Sequence, residues 1–583
     1  MGVNKYRDIY CGIITEDYIG KNLKVSGWVE NIRDHGGVLF LDLRDMYGTL
    51  QIVSNENSVF DDITRESVIY VEGTIRKRDE ETINEKISTG TIELLVDKLS
   101  ILSKSKNELP FEVMTSKSSV EDVRLKYRYL DLRNKDVKDT IIFRSEVIRY
   151  IREKMHSMDF IEFQTPILTA SSPEGARDFI VPSRKHKGKF YALPQAPQIF
   201  KQLIMVSGFD KYFQIAPCFR DEDGRSDRTP GEFYQLDLEM SFASQEDVLE
   251  VGEEIFYDIF TKFSNKKVSD KPFKRMPFKE SMLKYGTDKP DLRNPLTIID
   301  LTDEFVSTTF KPFVGATIRG IVVHDIGTKS NSWFNEVVDF ANSIGMPGIG
   351  YITLEENGTF KGPIDKFLSD EERENLINKC GLKINSVLFF IADRKEDVAC
   401  KYSGKIRDEL GRKLDLIDNN TFAFCIINDF PMYEWDLETD KYIFTHNPFS
   451  MPQGGLESLN TKEPEDILAY QYDFVCNGIE IASGAVRNHD LDVMRKAFEI
   501  SGYDESILKD KFTSLYTAFQ YGAPPHAGMA PGIDRMIMLL KDEANIREIV
   551  LFPMNGNAQD LMMNAPSNVA EQQLRDVHIK VRD

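Results

Sequence analysis

The sequence predicts an α+β protein of several domains, in which a small β-barrel precedes a larger antiparallel sheet. Three observations predict this class. Residues 1–105 contain five short strand patterns separated by Gly-rich turns. Residues 212–215 and 233–240 read as two antiparallel strands joined by a long polar loop. Apolar residues within 148–158 recur at spacings of three and four, which is typical of an amphipathic helix.

Length and composition describe an ordinary globular protein. The chain has 583 residues, of which 41% are hydrophobic and 29% charged, so several domains of about 100–200 residues each are expected. No run of about 18 apolar residues occurs, so we expect no membrane partner. The N-terminus lacks the apolar core of a signal peptide.

Cysteine usage favours a reducing, cytoplasmic location. The six cysteines are scattered without a CxxC pair, so they give no zinc signature. They are Cys11, Cys218, Cys380, Cys400, Cys425 and Cys476. The net charge of −21 weighs against nucleic-acid binding when the whole chain is considered. Binding to phosphates needs only a basic face, however.

The predicted barrel carries an aromatic side chain on its outer surface. Its strands are expected at 23–29, 38–45, 50–53, 68–75 and 92–96. Successive side chains of a strand point to opposite faces. Leu39 and Leu41 are expected on the inner side, so Phe40 is expected on the outer side.

Residues 219–242 indicate a nucleotide site. The segment reads FRDEDGRSDRTPGEFYQLDLEMSF and interleaves acidic and basic side chains in its loop. Arg220 offers the planar fork that suits phosphate oxygens. Phe233 offers a ring on which a base can stack. A loop of this length in a compact domain is usually functional or disordered.

A hairpin at 470–484 indicates a magnesium site. Asn477 and Gly478 favour a two-residue turn, which places Val475 opposite Glu480. Asp473 then lies on the same face as Glu480, one diagonal away. Two carboxylates suit Mg²⁺, which keeps waters and shares phosphate oxygens with a substrate.

Other segments give weaker signals. Gln198 and Lys201 are three apart on a helix that Pro197 begins, so they share one face. Residues 124–133 are basic, which fits RNA contact and a solvated helix equally well. Residues 288–420 look like an insertion with its own secondary structure. Strands are predicted at 350–354 and 387–392, and a helix at 335–341. A further helix is predicted to begin at a capping box at Ser369 and to end at Gly381.

Three stretches together resemble the class II aminoacyl-tRNA synthetases, specifically the aspartyl enzymes of the bacterial type. Residues 219–242 resemble motif 2, residues 532–540 resemble motif 3, and residues 160–166 resemble motif 1. The likeness covers nearly the whole chain. It implies an OB-fold anticodon-binding domain at 1–105, a hinge at 106–138, an antiparallel-sheet catalytic domain at 139–287 and 421–583 with a C-terminal extension, and an inserted α+β domain at 288–420.

The resemblance implies roles for individual residues. Arg220 and Arg535 would be catalytic, and Asp473 and Glu480 would hold Mg²⁺. Aspartate would be bound by Glu174, Gln198, Lys201, Asp237, His446 and Arg487. ATP would be bound by Arg220, Asp221, Glu222, Phe233, Glu480, Gly532, Ile533, Asp534 and Arg535. The anticodon would be read by Arg33, Phe40 and Gln51.

The implied reaction activates L-aspartate with ATP and transfers it to the 3′-terminal ribose of tRNA-Asp. The implied partners are the tRNA, aspartate, ATP and a second copy of the chain, with the homodimer contact at motif 1 and Pro166. Charging of tRNA-Asn stays open, because His35 matches members that have this activity and Glu81 does not. Asn447 stands where many members have a second His, and Gly231 is an additional residue in motif 2.

Three alternatives belong to other classes or other substrates. A non-catalytic RNA-binding paralogue should lack Arg220 and Arg535, which are present. Asparaginyl or lysyl ligases would not need Lys201 and Arg487 to neutralise a side-chain anion. A relative of asparagine synthetase, which acts without tRNA, should lack the barrel. The chain contains no GxSxG, Walker or GxGxxG motif, which argues against commoner nucleotide folds.

Overall fold

The computed structural model describes residues 4–35, 38–171, 175–226 and 231–582. The chain forms two compact units, Met1–Ser119 and Val120–Asp583. The boundary between them falls inside the predicted hinge at 106–138. The other predicted domain boundaries stay predictions.

The first unit contains the predicted five-stranded closed barrel, in the order β1-β2-β3-β5-β4. Its strands are β1 (Asn22–His35), β2 (Val38–Arg44), β3 (Thr49–Val53), β4 (Val68–Lys77) and β5 (Ile92–Ser103). Leu41 is fully buried in the barrel core and Leu39 packs against that core. Phe40 is only half-buried and does not belong to the core cluster. The alternation along β2 therefore confirms the predicted outward face of Phe40.

The second unit is built on an eight-stranded sheet. Its order is β12-β19-β22-β23-β24-β10-β9-β6, and every pair is antiparallel except β12 with β19 and β6 with β9. The strands are β6 (Ile161–Glu162), β9 (Lys211–Arg220), β10 (Gly231–Ser241), β12 (Lys274–Pro277), β19 (Phe424–Pro431), β22 (Leu468–Cys476), β23 (Ile479–Val486) and β24 (His526–Pro531).

Fifteen α-helices are described in the second unit. They are α1 (Glu121–Lys126), α2 (Arg128–Asp131), α3 (Lys135–Ser157), α4 (Gln198–Val206), α5 (Gln245–Phe263), α6 (Phe278–Tyr285), α7 (Asn331–Ser343), α8 (Asp370–Cys380), α9 (Glu396–Lys413), α10 (Gly455–Thr461), α11 (Leu491–Ile500), α12 (Glu505–Lys511), α13 (Thr513–Phe519), α14 (Ile533–Lys541) and α15 (Glu571–Asp576). In the described ranges, no helix is both long and apolar enough to cross a membrane.

The main core lies between the sheet and three helices. Ile151 and Met155 of α3 are fully buried there, as are side chains of α5 and α14. The apolar stripe predicted at 148–158 therefore packs against this chain's own sheet. Apolar burial of this kind supplies most of a helix's stability. Ser244 and Asp247 cap the start of α5 reciprocally.

A separate five-stranded sheet lies in the region predicted to be inserted. Its order is β13-β14-β17-β15-β16, with bounds β13 (Ile298–Asp300), β14 (Thr317–Val323), β15 (Gly350–Leu354), β16 (Phe360–Lys361) and β17 (Val387–Asp393). The predicted strands at 350–354 and 387–392 are confirmed. The capping box of Ser369 with Glu372 is also confirmed, and Gly381 ends α8 in the left-handed conformation at φ 58°.

Three two-stranded pairs complete the fold. They are β7 (Ile180–Pro182) with β8 (Phe190–Ala192), β11 (Lys267–Val268) with β18 (Thr421–Phe422), and β20 (Tyr433–Asp436) with β21 (Lys441–Phe444).

Two arginines of the basic segment 124–133 are buried. Arg124 bonds to Asp131 at 3.1 Å and to Glu548 at 2.6 Å. Arg128 bonds to Asp131 at 2.5 Å and donates to the carbonyl of Leu551 at 3.1 Å. These two side chains are therefore neither solvated nor available to RNA. They connect α1 and α2 to residues 548–551 instead.

Candidate active site

One cavity of about 800 Å³ lies on the eight-stranded sheet and collects most of the predicted site residues. It is lined by α4, by β10 and β23, and by the first turn of α14. The predicted residues on its wall are Gln198, Lys201, Arg220, Glu222, Phe233, Asp237, His446, Glu480, Arg487, Gly532, Asp534 and Arg535. Arg220 and Arg535 are 315 positions apart in sequence (535 − 220), yet both line this cavity.

Three predicted residues lie off the cavity wall. Ile533 is fully buried in the core beneath the cavity. Asp221 is exposed, and its backbone N–H donates to the carbonyl of Arg177 at 3.0 Å. Asp473 is buried behind Glu480. Glu174 lies outside the described residues, so its predicted role stays a prediction.

A buried cluster of four charges forms one end of the cavity. Lys201 lies 2.7 Å from Asp237 and 3.5 Å from Glu239. Arg487 donates from Nε and Nη2 to the two oxygens of Glu239, at 2.8 and 3.1 Å. The exposed fractions are 1% for Lys201 and 2% for Arg487. The cluster is electrically balanced, with two cations and two carboxylates, as buried charges require.

The cluster shifts the pKa of its members in opposite directions. Burial raises the pKa of Asp237, and the charge of Lys201 only partly offsets that effect. Burial also raises the pKa of Glu239, but the charges of Arg487 and Lys201 outweigh it and hold the pKa below its ordinary value. Glu239 is therefore the firmly ionised partner of Arg487.

Sequence reasoning missed Glu239. It follows Asp237 by two positions in β10, so the two side chains share one face of the strand. This spacing of two residues is the sequence signal that would have identified Glu239. The side chain of Asp237 also has a buried oxygen, Oδ2, without a hydrogen-bond partner among the described residues.

Arg220 and Phe233 lie together at the other end of the cavity. Arg220 ends β9 and pairs with Gly231, while Phe233 pairs with Cys218 on the neighbouring strand. The guanidinium carbon of Arg220 lies 5.0 Å from the centre of the Phe233 ring, which is a cation–π distance. The buried Nε of Arg220 has no partner among the described residues.

The β22–β23 hairpin brings a third group of charges to the wall. Val475 pairs with Glu480 as predicted, and a bulge follows, so that Asp473 pairs with Ser483. Arg535 donates from Nη1 to the carbonyl of Glu480 at 2.7 Å and lies 3.7 Å from its carboxylate. The buried Oδ1 of Asp473 has no hydrogen-bond partner among the described residues.

Lys289 is a second residue that sequence reasoning missed. Its ammonium lies 3.1 Å from the carboxylate of Glu480, and the residue lines the cavity. Burial raises the pKa of Glu480, but the charges of Lys289 and Arg535 outweigh it and hold that pKa below its ordinary value. Lys289 is 191 positions before Glu480 (480 − 289), so no local pattern relates the two.

Asp534 uses its side chain to join elements around the cavity. It forms an ion pair with Arg144 of α3 and accepts from the backbone N–H of Tyr234 at 3.2 Å. The residue thereby connects the start of α14 to α3 and β10.

A strand that sequence reasoning missed, β24, directly precedes α14.

The three predicted anticodon residues share one side of the barrel strands, where Arg33 and Phe40 are partly exposed and Gln51 is buried. Arg33 pairs with Phe40 across β1 and β2. Its Nη2 donates to Asp42 at 2.6 Å and to Gln51 at 3.3 Å. Gln51 donates in turn to Glu93 at 2.6 Å. The side chain of His35 lies outside the described residues, and Glu81 is exposed in a short turn.

Two family models match the chain. Residues 120–556 match the model described as tRNA synthetases class II (D, K and N). Residues 23–102 match the model described as an OB-fold nucleic acid binding domain.

The chain is similar to named proteins over its whole length. It is 52% identical to an aspartate–tRNA(Asp/Asn) ligase of Ehrlichia chaffeensis, with 99% of both chains covered. It is 52% identical to an aspartate–tRNA(Asp/Asn) ligase of Pelagibacter ubique, with 100% of both covered.

A solved structure shares the fold at low identity. The asparaginyl-tRNA synthetase of Pyrococcus horikoshii, complexed with asparaginyl-adenylate, superposes with a TM-score of 0.57 at 19% identity, over 94% of this chain and 97% of that one. With its OB-fold barrel, its antiparallel catalytic sheet and this similarity over the full length, the chain belongs to the class II aminoacyl-tRNA synthetases of the D, K and N family.

Proposed function

We propose that this protein is an aspartate–tRNA ligase, which activates L-aspartate with ATP and transfers it to the 3′ end of tRNA-Asp. One observation carries the proposal: Lys201 and Arg487 are buried at one end of the cavity whose wall also holds Arg220 and Arg535. A site for an acidic side chain therefore adjoins a site for a polyphosphate. The names of the 52% identical relatives agree with this assignment.

Aspartate is recognised by the charge cluster. Arg487 uses Nε and Nη2 on Glu239 and on the carbonyl of Gly528. A guanidinium has five N–H donors, so the two on Nη1 are left for the side-chain carboxylate of aspartate, beside Lys201. The unpartnered Oδ2 of Asp237 suits the substrate ammonium. Gln198 lines the same end and supports that contact.

ATP is bound at the opposite end. Arg220 covers one face of Phe233, so the adenine stacks on the other face, with Glu222 near its exocyclic amine. Arg220 neutralises the charge that develops on the α-phosphate as the α-carboxylate of aspartate attacks it and pyrophosphate leaves, which gives aspartyl-adenylate. Arg535 holds the terminal phosphate. Fixed cations at the developing charge are the main source of catalysis here, since the reaction needs no covalent enzyme intermediate.

Asp473 and Glu480 fit a Mg²⁺ ion. The chemistry of the donors supports this, because Asp473 has an unpartnered buried oxygen beside a second carboxylate on the cavity wall. No set of three such side chains is found among the described residues, so water and phosphate oxygens would complete the coordination. When bound, the ion would neutralise phosphate charge. Glu480 and Asp473 would orient it.

The barrel reads the anticodon. Arg33 and Phe40 place a cation and an aromatic ring on one outer face, which suits unstacked bases. Gln51 is buried beside them and accepts a hydrogen bond from Arg33. Charging of tRNA-Asn as well as tRNA-Asp is the second candidate activity, and the names of the 52% identical relatives, aspartate–tRNA(Asp/Asn) ligases, favour it.

The protein acts as a homodimer in the cytoplasm. Three apolar side chains near Pro166 are about half exposed, namely Ile161, Ile167 and Leu168, and they suit a contact with a second copy. The stripe of α3 is buried in the chain's own core and is not available for this contact. The six cysteines are all free and buried, which suits a reducing compartment.

Aminoacylation with labelled aspartate and purified tRNAs tests the proposal. We expect aspartyl-tRNA to form with tRNA-Asp. A second product with tRNA-Asn would establish the broader activity, and its absence would restrict the enzyme to one tRNA. Failure to charge either tRNA would refute the proposed function.

A further inference from the structure

The hairpin of β7 and β8 carries a strong positive charge on an otherwise acidic chain. Its tip, residues 183–189, reads Ser-Arg-Lys-His-Lys-Gly-Lys. No Asp or Glu occurs anywhere from 179 to 209, although the whole chain has a net charge of −21. The four cations are Arg184, Lys185, Lys187 and Lys189. Such a concentration of one sign creates a local potential that the average charge conceals.

These cations are available to a partner. All four are exposed. Within the ranges that the structure describes, the side chains of the four make no ion pair or hydrogen bond, although surface cations elsewhere often pair with carboxylates, as Lys135 does with Asp139 at 2.6 Å. The tip itself is ordered by its backbone, because Ser183 N–H donates to the carbonyl of Lys189 at 2.9 Å. The charges therefore sit on a defined turn.

Aromatic side chains follow the cations directly. Phe190 is 46% exposed and Tyr191 is 39% exposed. They are neighbours in β8, so their rings lie on opposite faces of the hairpin. Cations beside exposed rings are typical of surfaces that bind single-stranded nucleic acid, because the cations bind phosphates and the bases stack on the rings.

The base of the hairpin is built into the wall of the cavity. The four peptide steps from Ala192 to Ala196, which lines the cavity, span at most about 14 Å. Phe219 N–H donates to the carbonyl of Pro194 at 2.9 Å, immediately before Arg220. Ala192 also exchanges backbone hydrogen bonds with Thr169, at 2.8 and 3.1 Å. The basic tip thus projects from the rim of the site where the aminoacyl group is formed.

We infer that the β7–β8 hairpin is an arm that binds the phosphates of the acceptor end of tRNA and guides its 3′ end into the cavity. This inference rests on the proposed function, which requires a single-stranded 3′ end to reach the adenylate. An RNA backbone fits better than an acidic protein, because the exposed rings beside the cations match unstacked bases. The arm adds affinity by binding phosphates, which does not depend on sequence.

The test uses the full-length protein and an RNA minihelix that carries the acceptor stem and 3′ end of tRNA-Asp without the anticodon. The variant replaces all four cations: Arg184→Gln, Lys185→Gln, Lys187→Gln and Lys189→Gln. The matched control replaces four exposed lysines remote in sequence: Lys279→Gln, Lys361→Gln, Lys383→Gln and Lys462→Gln. Both sets change the net charge from −21 to −25, so the general electrostatic repulsion between protein and RNA is equal in the two variants.

We expect fluorescence anisotropy to give a minihelix Kd about tenfold higher for the hairpin variant than for the control. We also expect the slope of log Kd against log salt to fall by roughly one for each phosphate that the variant no longer binds. Aspartate-dependent ATP–pyrophosphate exchange without tRNA should be unchanged. An equal Kd and an equal salt slope in the two variants would overturn the inference.

Failure of the proposed function would look different. In that case the unmodified protein would show no aspartate-dependent exchange. The minihelix measurement would still report whether the hairpin binds RNA.

Discussion

Glu239 connects substrate recognition to stability at the scale of a single residue. Its carboxylate receives two hydrogen bonds from Arg487 and lies 3.5 Å from Lys201. All three side chains are buried. Buried charges are tolerated only when they are paired. Removing this anion leaves Lys201 and Arg487 with Asp237 as the one remaining carboxylate of the cluster, so one positive charge is uncompensated.

We expect Glu239→Ala to destabilise the protein by roughly 3–5 kcal/mol, because it leaves buried charge unpaired. It should also raise the KM for aspartate, since Arg487 loses its fixed orientation. Urea denaturation and steady-state kinetics would measure the two effects. Glu239→Gln is the matched control for volume and should be milder in both. A Glu239→Ala protein with ordinary stability and ordinary aspartate KM would contradict this role of Glu239.

Arg220 is the residue whose removal should separate chemistry from RNA binding. We expect Arg220→Ala to lower the rate of adenylate formation by roughly 10²–10³, the usual effect of losing one donor at a developing charge. Binding of tRNA should largely survive. Pyrophosphate exchange measures the rate of adenylate formation, and fluorescence anisotropy measures the binding of tRNA. Arg220→Lys is the control that keeps the positive charge. Exchange at the ordinary rate would remove Arg220 from the proposed catalytic role.

His526 makes stability depend on pH. It is fully buried, with ring nitrogens 2.8 Å from the carbonyl of Pro524 and 3.2 Å from Gln202. Burial lowers its pKa, and nearby Arg487 and His489 lower it further against the opposing charge of Glu239. A lowered pKa in the folded state means that protonation favours unfolding. The contribution of neutral His526 to the free energy of unfolding is therefore complete above about pH 6.5, and it declines as the pH falls.

We expect the free energy of unfolding to fall between pH 7.5 and 5.5, by up to about 1.4 kcal/mol for each pH unit from this group. Urea denaturation at the two pH values would measure the change. In His526→Gln the same pH change should have a smaller effect, because the titrating group is gone. An identical pH dependence in the two proteins would exclude His526 as a source.

At the scale of elements, the local patterns predicted the pairs and turns well. The Asn477-Gly478 turn predicted the register that places Val475 opposite Glu480. Strand alternation placed Phe40 outside the barrel core, and capping residues located the ends of α8. The bulge between Phe474 and Val475 was not predicted, because the ideal hairpin register has no place for it. The strand β24 was not predicted, because it pairs with β10, which is distant in sequence. Lys289 was missed because its partner, Glu480, is remote in sequence. The burial of Arg124 was not predicted because Glu548, one of its partners, is also remote.

Close packing of β24 against β10 supports the aspartate end of the cavity. A Cβ atom on Gly528 would lie 2.1 Å from Glu239 Oε2 and 2.2 Å from the carbonyl of Leu238. No side chain fits there without separating the strands. Glycine is therefore required at this position.

We expect Gly528→Ala to destabilise the protein by roughly 1–3 kcal/mol, the usual cost of overpacking, and to raise the KM for aspartate through Glu239. Thermal unfolding and kinetics would measure both. Gly556→Ala is the control, because a Cβ there would meet no atom within 4 Å. If Gly528→Ala behaved like Gly556→Ala, close packing at Gly528 would not be what supports the site.

At the scale of the whole molecule, the sequence predicted the barrel, the antiparallel catalytic sheet and the family, because recognisable motifs carry all three. It did not predict how charge is distributed. A net charge of −21 conceals a basic hairpin at 183–189 and a balanced group of charges inside the cavity. The charges of the hairpin are consecutive in the sequence, whereas the group inside the cavity forms only when the fold brings distant residues together.

The central claim is that the cavity selects aspartate for activation by ATP. ATP–pyrophosphate exchange, measured separately with aspartate, asparagine and lysine, tests it most directly. We predict exchange with aspartate and little with the other two, because the Nη1 donors of Arg487, beside Lys201, are placed to bind a side-chain carboxylate, and a site built for one rejects ligands that lack it. Exchange that is as fast with asparagine or lysine as with aspartate would contradict the claim.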